Sequence, residues 1–165
     1  MYAQVDLHQL GAGYMGHTWF THVYPNTYDP STPGNAKHEV VASWTPDLSQ
    51  ITSSAGQHYD VLVHLPSHGA ETDKADYIVY GDATDTVQGD CMIDQGGDTG
   101  AILDPFGHDT WVYLGNWLLH RGARVAINNL ADPSESADGT VDIAFDAMAF
   151  VPTNGVSGNH CEDSY

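Results

Sequence analysis

Basic residues are scarce in this chain of 165 residues: 4 Lys and Arg stand against 22 Asp and Glu, so the formal net charge is -18 with the 10 His neutral. Proteins that bind nucleic acids gain affinity from Lys and Arg side chains that displace counterions from the phosphates. Anionic lipid surfaces likewise attract clusters of basic residues. The shortage therefore argues against nucleic acids and membrane surfaces as partners.

Charge of either sign is also limited, because charged residues make up 16% of the chain and hydrophobic residues 41%. That composition is too apolar for a disordered segment, and the length suits a single domain. We expect an irregular N-terminal lead-in or arm over 1–37, a β-sandwich domain over 38–152 and a C-terminal tail over 153–165.

Helical periodicity is missing as well, since no window of about 11 residues repeats its apolar positions at 3.6 residues. The acidic residues are mostly Asp, which disfavours helix interiors, and 17 Gly and 8 Pro punctuate the chain. These features predict an all-β fold, an antiparallel and jelly-roll-like β-sandwich of about eight strands. The expected strands cover 19–24, 38–44, 58–65, 76–80, 91–94, 110–119, 124–130 and 140–151.

Alternation assigns faces to two of these strands. In 58–65, the set that contains Tyr59, Val61, Val63 and Leu65 is expected to face the core, and the set that contains His58, Asp60, Leu62 and His64 to face solvent. In 140–151, we expect one continuous strand whose core set runs from Val141 to Val151. Its opposite set becomes apolar at Met148 and Phe150, which predicts that this end is covered on both faces.

Cysteine is nearly absent, with Cys91 and Cys161 as the two examples. They form neither a redox motif nor a zinc knuckle, and a disulfide that ties the tail to the body is favoured over two free thiols or an intermolecular bridge. The first ten residues have no basic region and no apolar run, so we expect no signal peptide and no membrane span there. On that basis the sequence is either mature or excised, or the protein stays inside the cell.

Several short motifs occur in a fixed order. They are ASWTP (42–46), GQHYDVLVHLP (56–66), ADYIVY (75–80), MIDQ (92–95), TWVYLGNWLLHRG (110–122), AINNL (126–130) and AFDAMAFV (144–151). In this order, the stretch 41–152 resembles the C-terminal domain family of golvesin and of bacterial xanthan lyases. The chain departs from that family in a longer link between MIDQ and the Trp strand, in the Cys pair, and in residues 1–40, which have no match.

The resemblance implies a β-sandwich that is secreted, non-catalytic and carbohydrate-binding-like. It also implies that Trp44, Trp111 and Trp117, which coincide with family motifs, belong to the core. Sugar recognition needs aromatic platforms with polar groups beside them. If a sugar is bound, we expect the platforms among Tyr113, Tyr80, Trp19 and Tyr24.

Two kinds of metal site are considered. His64 and His68 flank a turn, with His58 and Asp60 on the same strand, and imidazole with carboxylate suits zinc, copper or nickel; a polar, solvent-facing strand is the alternative. For calcium, carboxylates in Gly-rich loops are the required oxygen ligands, and a solvated acidic surface is the alternative. The calcium candidates are Asp82, Asp85, Asp90, Asp98 and Asp104, whereas Asp94 is expected to cap a turn.

Three functions compete at this point. The first is an extracellular accessory module that binds a polysaccharide or docks a parent enzyme, with calcium as the one cofactor considered. The second is self-assembly in an extracellular filament or surface layer, with the lead-in as a donated arm. The third and least favoured is a metal-dependent hydrolase, since no esterase, zinc-protease, dinucleotide or P-loop motif is present.

Overall fold

A computed structural model describes residues 7–25, 39–51, 54–97, 101–103, 110–131, 135 and 140–155. These residues form a mostly antiparallel, sandwich-like all-β fold with one short parallel pair, Tyr24–Pro25 with Leu130–Ala131, and this confirms the fold class predicted from the sequence. One 3₁₀ turn, Tyr14–Gly16, interrupts the strands. Among the described residues, no helix has the length and apolar character to cross a membrane.

The strands, numbered in chain order, have the following bounds. They are β1 Leu7–Leu10, β2 Thr18–His22, β3 Tyr24–Pro25, β4 Val41–Trp44, β5 Gln57–Leu65, β6 Ala75–Tyr80, β7 Val87–Ile93, β8 Ala101–Leu103, β9 Thr110–Leu119, β10 Arg124–Asn128, β11 Leu130–Ala131, β12 Asp142–Phe145 and β13 Met148–Pro152. The bounds of β9 agree with the prediction, whereas β1 and β8 were not predicted.

Two four-stranded sheets form the sandwich. Sheet I has the order β4-β10-β6-β7 and sheet II the order β13-β5-β9-β8, while β1-β2-β12 form a smaller sheet III. Strands β7 and β9 approach each other across the core: the Sγ atom of Cys91 lies 3.2 Å from the carbonyl oxygen of Leu114. Gly89 lies so close to the Trp117 ring that a Cβ atom there would clash with it. The core therefore lies between sheets I and II.

The N-terminal segment differs from the expected irregular lead-in. Strands β1 and β2 pair with each other, and β2 also pairs with β12, so residues 7–25 belong to the β structure. The fully buried Asn129 fastens this segment, because its Nδ2 atom donates to the carbonyl oxygen of His22 (3.0 Å) and its Oδ1 atom accepts the Val40 N–H (2.8 Å). The strand expected over 19–24 corresponds to β2, and the strand missed in this segment is β1, its hairpin partner.

The prediction of one continuous strand over 140–151 is also wrong. The chain leaves sheet III after Phe145, turns at Asp146 and enters sheet II at Met148. The turn reverses the faces, so Phe150 packs against the core while Val151 is 47% exposed. The alternation of core-facing and outward-facing side chains holds only within one strand, so it does not carry over from β12 to β13.

Candidate ligand-binding face

Five polar side chains form a connected row on sheet II, which we call the polar row: His58, Asp60, Tyr113, Asn116 and Thr153. The Oδ1 atom of Asp60 accepts hydrogen bonds from the Tyr113 hydroxyl (2.9 Å) and from Nδ2 of Asn116 (2.8 Å). Nδ2 of Asn116 also donates to Oγ1 of Thr153 (2.9 Å), and the Oδ1 atom of Asn116 lies 2.7 Å from Nδ1 of His58. Each member thus holds another in a fixed orientation.

A β-bulge in β9 brings the row together. Val61 pairs with Gly115 but Leu62 pairs with Tyr113, so Leu114 is an extra residue in β9. Gly115 has a φ angle of 126°, a conformation that glycine adopts easily. Before the bulge, Tyr113 faces outward; after it, Asn116 lies opposite Asp60 on the same face. Trp117 is four residues after Tyr113 and would share its face in a regular strand, but the bulge turns it into the core, where it is 2% exposed.

The hydrogen-bond directions leave two acceptors open. Because the amide nitrogen of Asn116 is used on Asp60 and Thr153, its oxygen accepts from a protonated Nδ1 of His58, and Nε2 is the ring nitrogen that these bonds leave open. Within the described part of the chain, both bonds to Asp60 end on Oδ1. Oδ2 of Asp60 and Nε2 of His58 are therefore the groups that the row offers to a ligand.

The Tyr113 hydroxyl is kept in its donating form. Its partial burial, together with the hydrogen bond to Asp60 and the charge of that carboxylate, raises the pKa of Tyr113 from 10.0 to about 12. The proton stays on the phenol over the physiological range, and the ring is held by its bond to Asp60. Tyr113, one of the predicted sugar platforms, thus lies inside the polar row.

A cleft of about 470 Å³ continues the row at one end, lined by residues 55–58, Leu118 and residues 153–155. His58 and Thr153 belong to both the cleft and the row. Gly155, at a φ angle of 76°, places its backbone against the His58 imidazole, and a Cβ atom there would lie 3.0 Å from the ring carbon Cδ2. The row and the cleft form one continuous surface.

The second predicted histidine on this strand, His64, is not on the solvent face. The side chains of His64 and Asp146 are 1% and 4% exposed, and Nδ1 of His64 lies 2.6 Å from Oδ2 of Asp146. We call these two residues the buried pair. The backbone N–H of Tyr14 donates to the same carboxylate (3.0 Å), and the rings of Tyr14 and Trp111 pack edge-on against His64. The predicted outward face of His64 is therefore wrong.

The histidines do not assemble into a metal site in the described residues. His58 bonds Asn116 in the polar row, His64 belongs to the buried pair, and His68 lies exposed beyond β5. No group of three or more His, Cys, Asp or Glu side chains in the described part of the chain is placed to hold an ion.

The calcium candidates have separate roles where they are described. Oδ1 of Asp82 accepts the backbone N–H (2.8 Å) and the hydroxyl (2.7 Å) of Thr84, and these bonds lower the pKa of Asp82. Asp85 forms an ion pair with Arg124, and Asp90 lies on β7. Asp98 and Asp104 lie outside the described residues, so the calcium site stays a prediction.

The turn-capping role predicted for Asp94 is confirmed. Its Oδ1 atom accepts the Gly97 N–H (2.6 Å). The next residue, Gln95, was not singled out from the sequence, yet its buried amide donates to the Tyr77 hydroxyl (2.7 Å) and exchanges two hydrogen bonds with the backbone of Ala144. Both residues of this part of the MIDQ motif thus have structural roles.

The other predicted platforms lie elsewhere. The Arg124 guanidinium stacks 3.8 Å above the Tyr80 ring and covers one face of it. Trp19 is 38% exposed on β2, with its ring edge-on to His17, and Tyr24 is part of β3. None of these three residues contributes a hydrogen bond to the polar row in the described part of the chain.

Of the three tryptophans expected in the core, Trp117 is buried there and Trp44 packs against it. Trp111 instead lies half-buried beneath Tyr14. Cys91 is fully buried in the core, but Cys161 lies outside the described residues, so the disulfide stays a prediction.

Asn116 and Thr153 are the functional candidates that sequence reasoning missed. The NW dipeptide of β9 carries no local signal for Asn116, because its role depends on the bulge that places it opposite Asp60. Thr153 follows β13, and its position is set by the hydrogen bond from its N–H to the carbonyl oxygen of His58 (2.9 Å). Both positions require the strand pairing, which alternation does not supply.

Comparison of the chain with models of protein families, with curated proteins and with solved structures found no match. The resemblance to the golvesin-type family therefore remains a prediction from the ordered motifs.

Proposed function

We propose that this protein is a non-catalytic glycan-binding module and that the polar row with its cleft is the binding face. The observation that carries the proposal is the row itself, in which Asp60, Asn116 and Tyr113 are fixed by mutual hydrogen bonds while acceptor atoms stay open. Such a surface meets a ligand without first losing side-chain freedom, which lowers the entropic cost of binding.

The chemistry of the row suits a polyhydroxylated ligand. Sugar hydroxyls donate to carboxylate oxygen and imidazole nitrogen, and the Thr153 hydroxyl adds a group that both donates and accepts. The half-buried ring of Tyr113 adds an aromatic surface against which the C–H groups of a sugar ring can pack. A cleft beside the row gives room for a ligand that extends past it.

The extracellular location and the self-assembly and hydrolase hypotheses stay predictions. An assembly role would use the exposed residues at the start of the chain, of which Met15 is 89% and Tyr14 43% exposed. The glycan proposal is preferred because it uses a connected set of hydrogen bonds rather than exposure alone.

Retention of the purified protein on a panel of polysaccharides, with calcium in the buffer, tests the proposal. The wild type should bind at least one glycan, and Tyr113→Phe should weaken that binding by about tenfold, since it removes the hydroxyl that orients Asp60 and a hydrogen bond to a charged group contributes roughly this much.

The matched control is Tyr80→Phe, which makes the same chemical change on sheet I, where Arg124 covers the ring. It should leave retention unchanged. A wild type that binds no glycan on the panel would overturn the proposal, and equal losses in the two variants would show that the polar row is not the binding face.

A further inference from the structure

The charges around the polar row restrict the class of glycan. The row contains one ionisable carboxylate, Asp60, and its Oδ2 atom accepts no hydrogen bond within the described part of the chain. The Oδ1 atom of Asp60 accepts from Tyr113 and Asn116, which hold the carboxylate in place. An open carboxylate oxygen that carries negative charge favours ligands that bring hydrogen-bond donors and positive charge.

The arginine side chains make their contacts away from the polar row. Arg121 donates to the carbonyl oxygens of Ser49 (2.8 Å) and Ile51 (3.0 Å), and Arg124 pairs with Asp85 and stacks on Tyr80 in sheet I. Lys74 precedes β6, and Lys37 lies outside the described residues. Within the described part of the chain, no Lys or Arg lines the cleft or bonds a side chain of the row.

An acidic polysaccharide would therefore meet no Lys or Arg side chain of the described residues at this site. A uronate or sulfate group would instead approach Asp60 in the field of a chain whose formal charge is -18. The same field concentrates cationic ligands, and the hydrogen bond between an ammonium group and a carboxylate is among the stronger ones that proteins form.

We infer that the polar row recognises a polysaccharide with protonated amino groups, a de-N-acetylated hexosamine polymer, with Asp60 as the partner of the ammonium group. This inference rests on the proposed glycan-binding function and narrows its ligand class. Asp60 accepts the ammonium through Oδ2, while Oδ1 remains bonded to Tyr113 and Asn116.

Isothermal titration of the whole chain with three oligosaccharides tests the inference: a de-N-acetylated hexosamine oligomer, its N-acetylated counterpart of equal length, and a uronate oligomer. The buffer keeps the amines protonated at an ionic strength of about 0.15 M, where screening acts over about 8 Å and weakens the long-range field. The wild type should bind the amine oligomer about tenfold more tightly than the acetylated one and should not bind the uronate.

The variant Asp60→Asn keeps the shape and an acceptor for Tyr113 and Asn116, and it should lose the preference for the amine. Its control, Asp82→Asn, removes the same charge from an exposed turn and should change the affinity by less than about twofold. Equal losses in the two variants would assign the effect to overall charge and overturn the role of Asp60.

If Asp60→Asn does not fold, the three titrations of the wild type alone still test the inference about the ligand class. Equal or tighter binding of the acetylated or uronate oligomer would overturn the inference and leave the glycan-binding function standing. Binding of none of the three oligomers, together with no retention on neutral polysaccharides, would overturn both proposals.

Discussion

The two ends of β5 place the same residue types in opposite surroundings. His58 and His64 lie six positions apart, and each belongs to a hydrogen-bonded set that contains an aspartate. In the buried pair, Asp146 accepts from the Tyr14 N–H and lies against His64 at 4% exposure. In the polar row, Asp60 accepts from Tyr113 and from the buried Asn116, while Asp60 and Tyr113 are themselves partly exposed.

The difference shows how burial divides structural from binding roles. The His64 imidazole needs the Asp146 carboxylate, because at 1% exposure it has no water to replace that partner. The Asp60 carboxylate keeps an open oxygen, and of its two partners the partly exposed Tyr113 hydroxyl can turn to water when the carboxylate is lost. The buried pair therefore stabilises the fold, whereas the polar row is available to a ligand.

Removing each carboxylate tests this comparison most strongly. We expect Asp146→Ala to lower the free energy of unfolding by about 3–5 kcal/mol, since His64 and the Tyr14 N–H lose a buried acceptor. Asp60→Ala should lower it by about 1 kcal/mol. Urea denaturation of both variants gives the two values, and similar losses would contradict the division of roles.

The loop over the buried pair offers a second, smaller test. Gly13 has a φ angle of 95°, and a Cβ atom there would clash with the Asp146 carboxylate and with Thr18. Gly13→Ala should therefore destabilise the protein by roughly 1–3 kcal/mol, the range for strained backbone positions. Gly11→Ala is the control, because its Cβ atom would meet nothing nearer than a carbonyl oxygen at 4.0 Å; an equal loss there would show that the Gly13 contact is unimportant.

The titration of Tyr113 should give the smallest effect. Because its pKa is about 12 in the folded protein against 10.0 for the unperturbed group, the unfolded chain loses this proton first as the pH rises. The contribution of Tyr113 to stability is therefore complete below pH 10 and is lost between about pH 10 and 12. Denaturation at several pH values should show a steeper decline for the wild type than for Tyr113→Phe. An equal loss of stability with rising pH in the two proteins would mean that the polar row does not raise the pKa of Tyr113.

Alternation along β5 predicted a large part of the candidate site. It placed Val61, Val63 and Leu65 in the core, where they are buried, and it placed His58 and Asp60 on the opposite face, where the polar row lies. It failed at His64 because the Tyr14 loop and the turn at Asp146 cover that end of the strand. No local pattern indicates a cover that comes from elsewhere in the chain.

Tyr113 and Trp117 show the same limit on β9. They share a parity in the sequence, yet one lies in the polar row and the other in the core, because the extra residue at Leu114 shifts the phase between them. A bulge is a property of two paired strands, so the sequence of one strand does not reveal it.

The sequence by itself determined the fold class, most of the strands, the capping role of Asp94 and the shortage of basic residues. Each of these depends on local chemistry: the alternation of apolar residues, the preference of Asp and Gly for turns, and the count of charges. Only the tertiary structure decided which His is buried, which aromatic faces outward and which polar groups meet. Those outcomes depend on strand register and on segments far apart in the chain, and a shift of one residue in register moves a side chain from solvent to core.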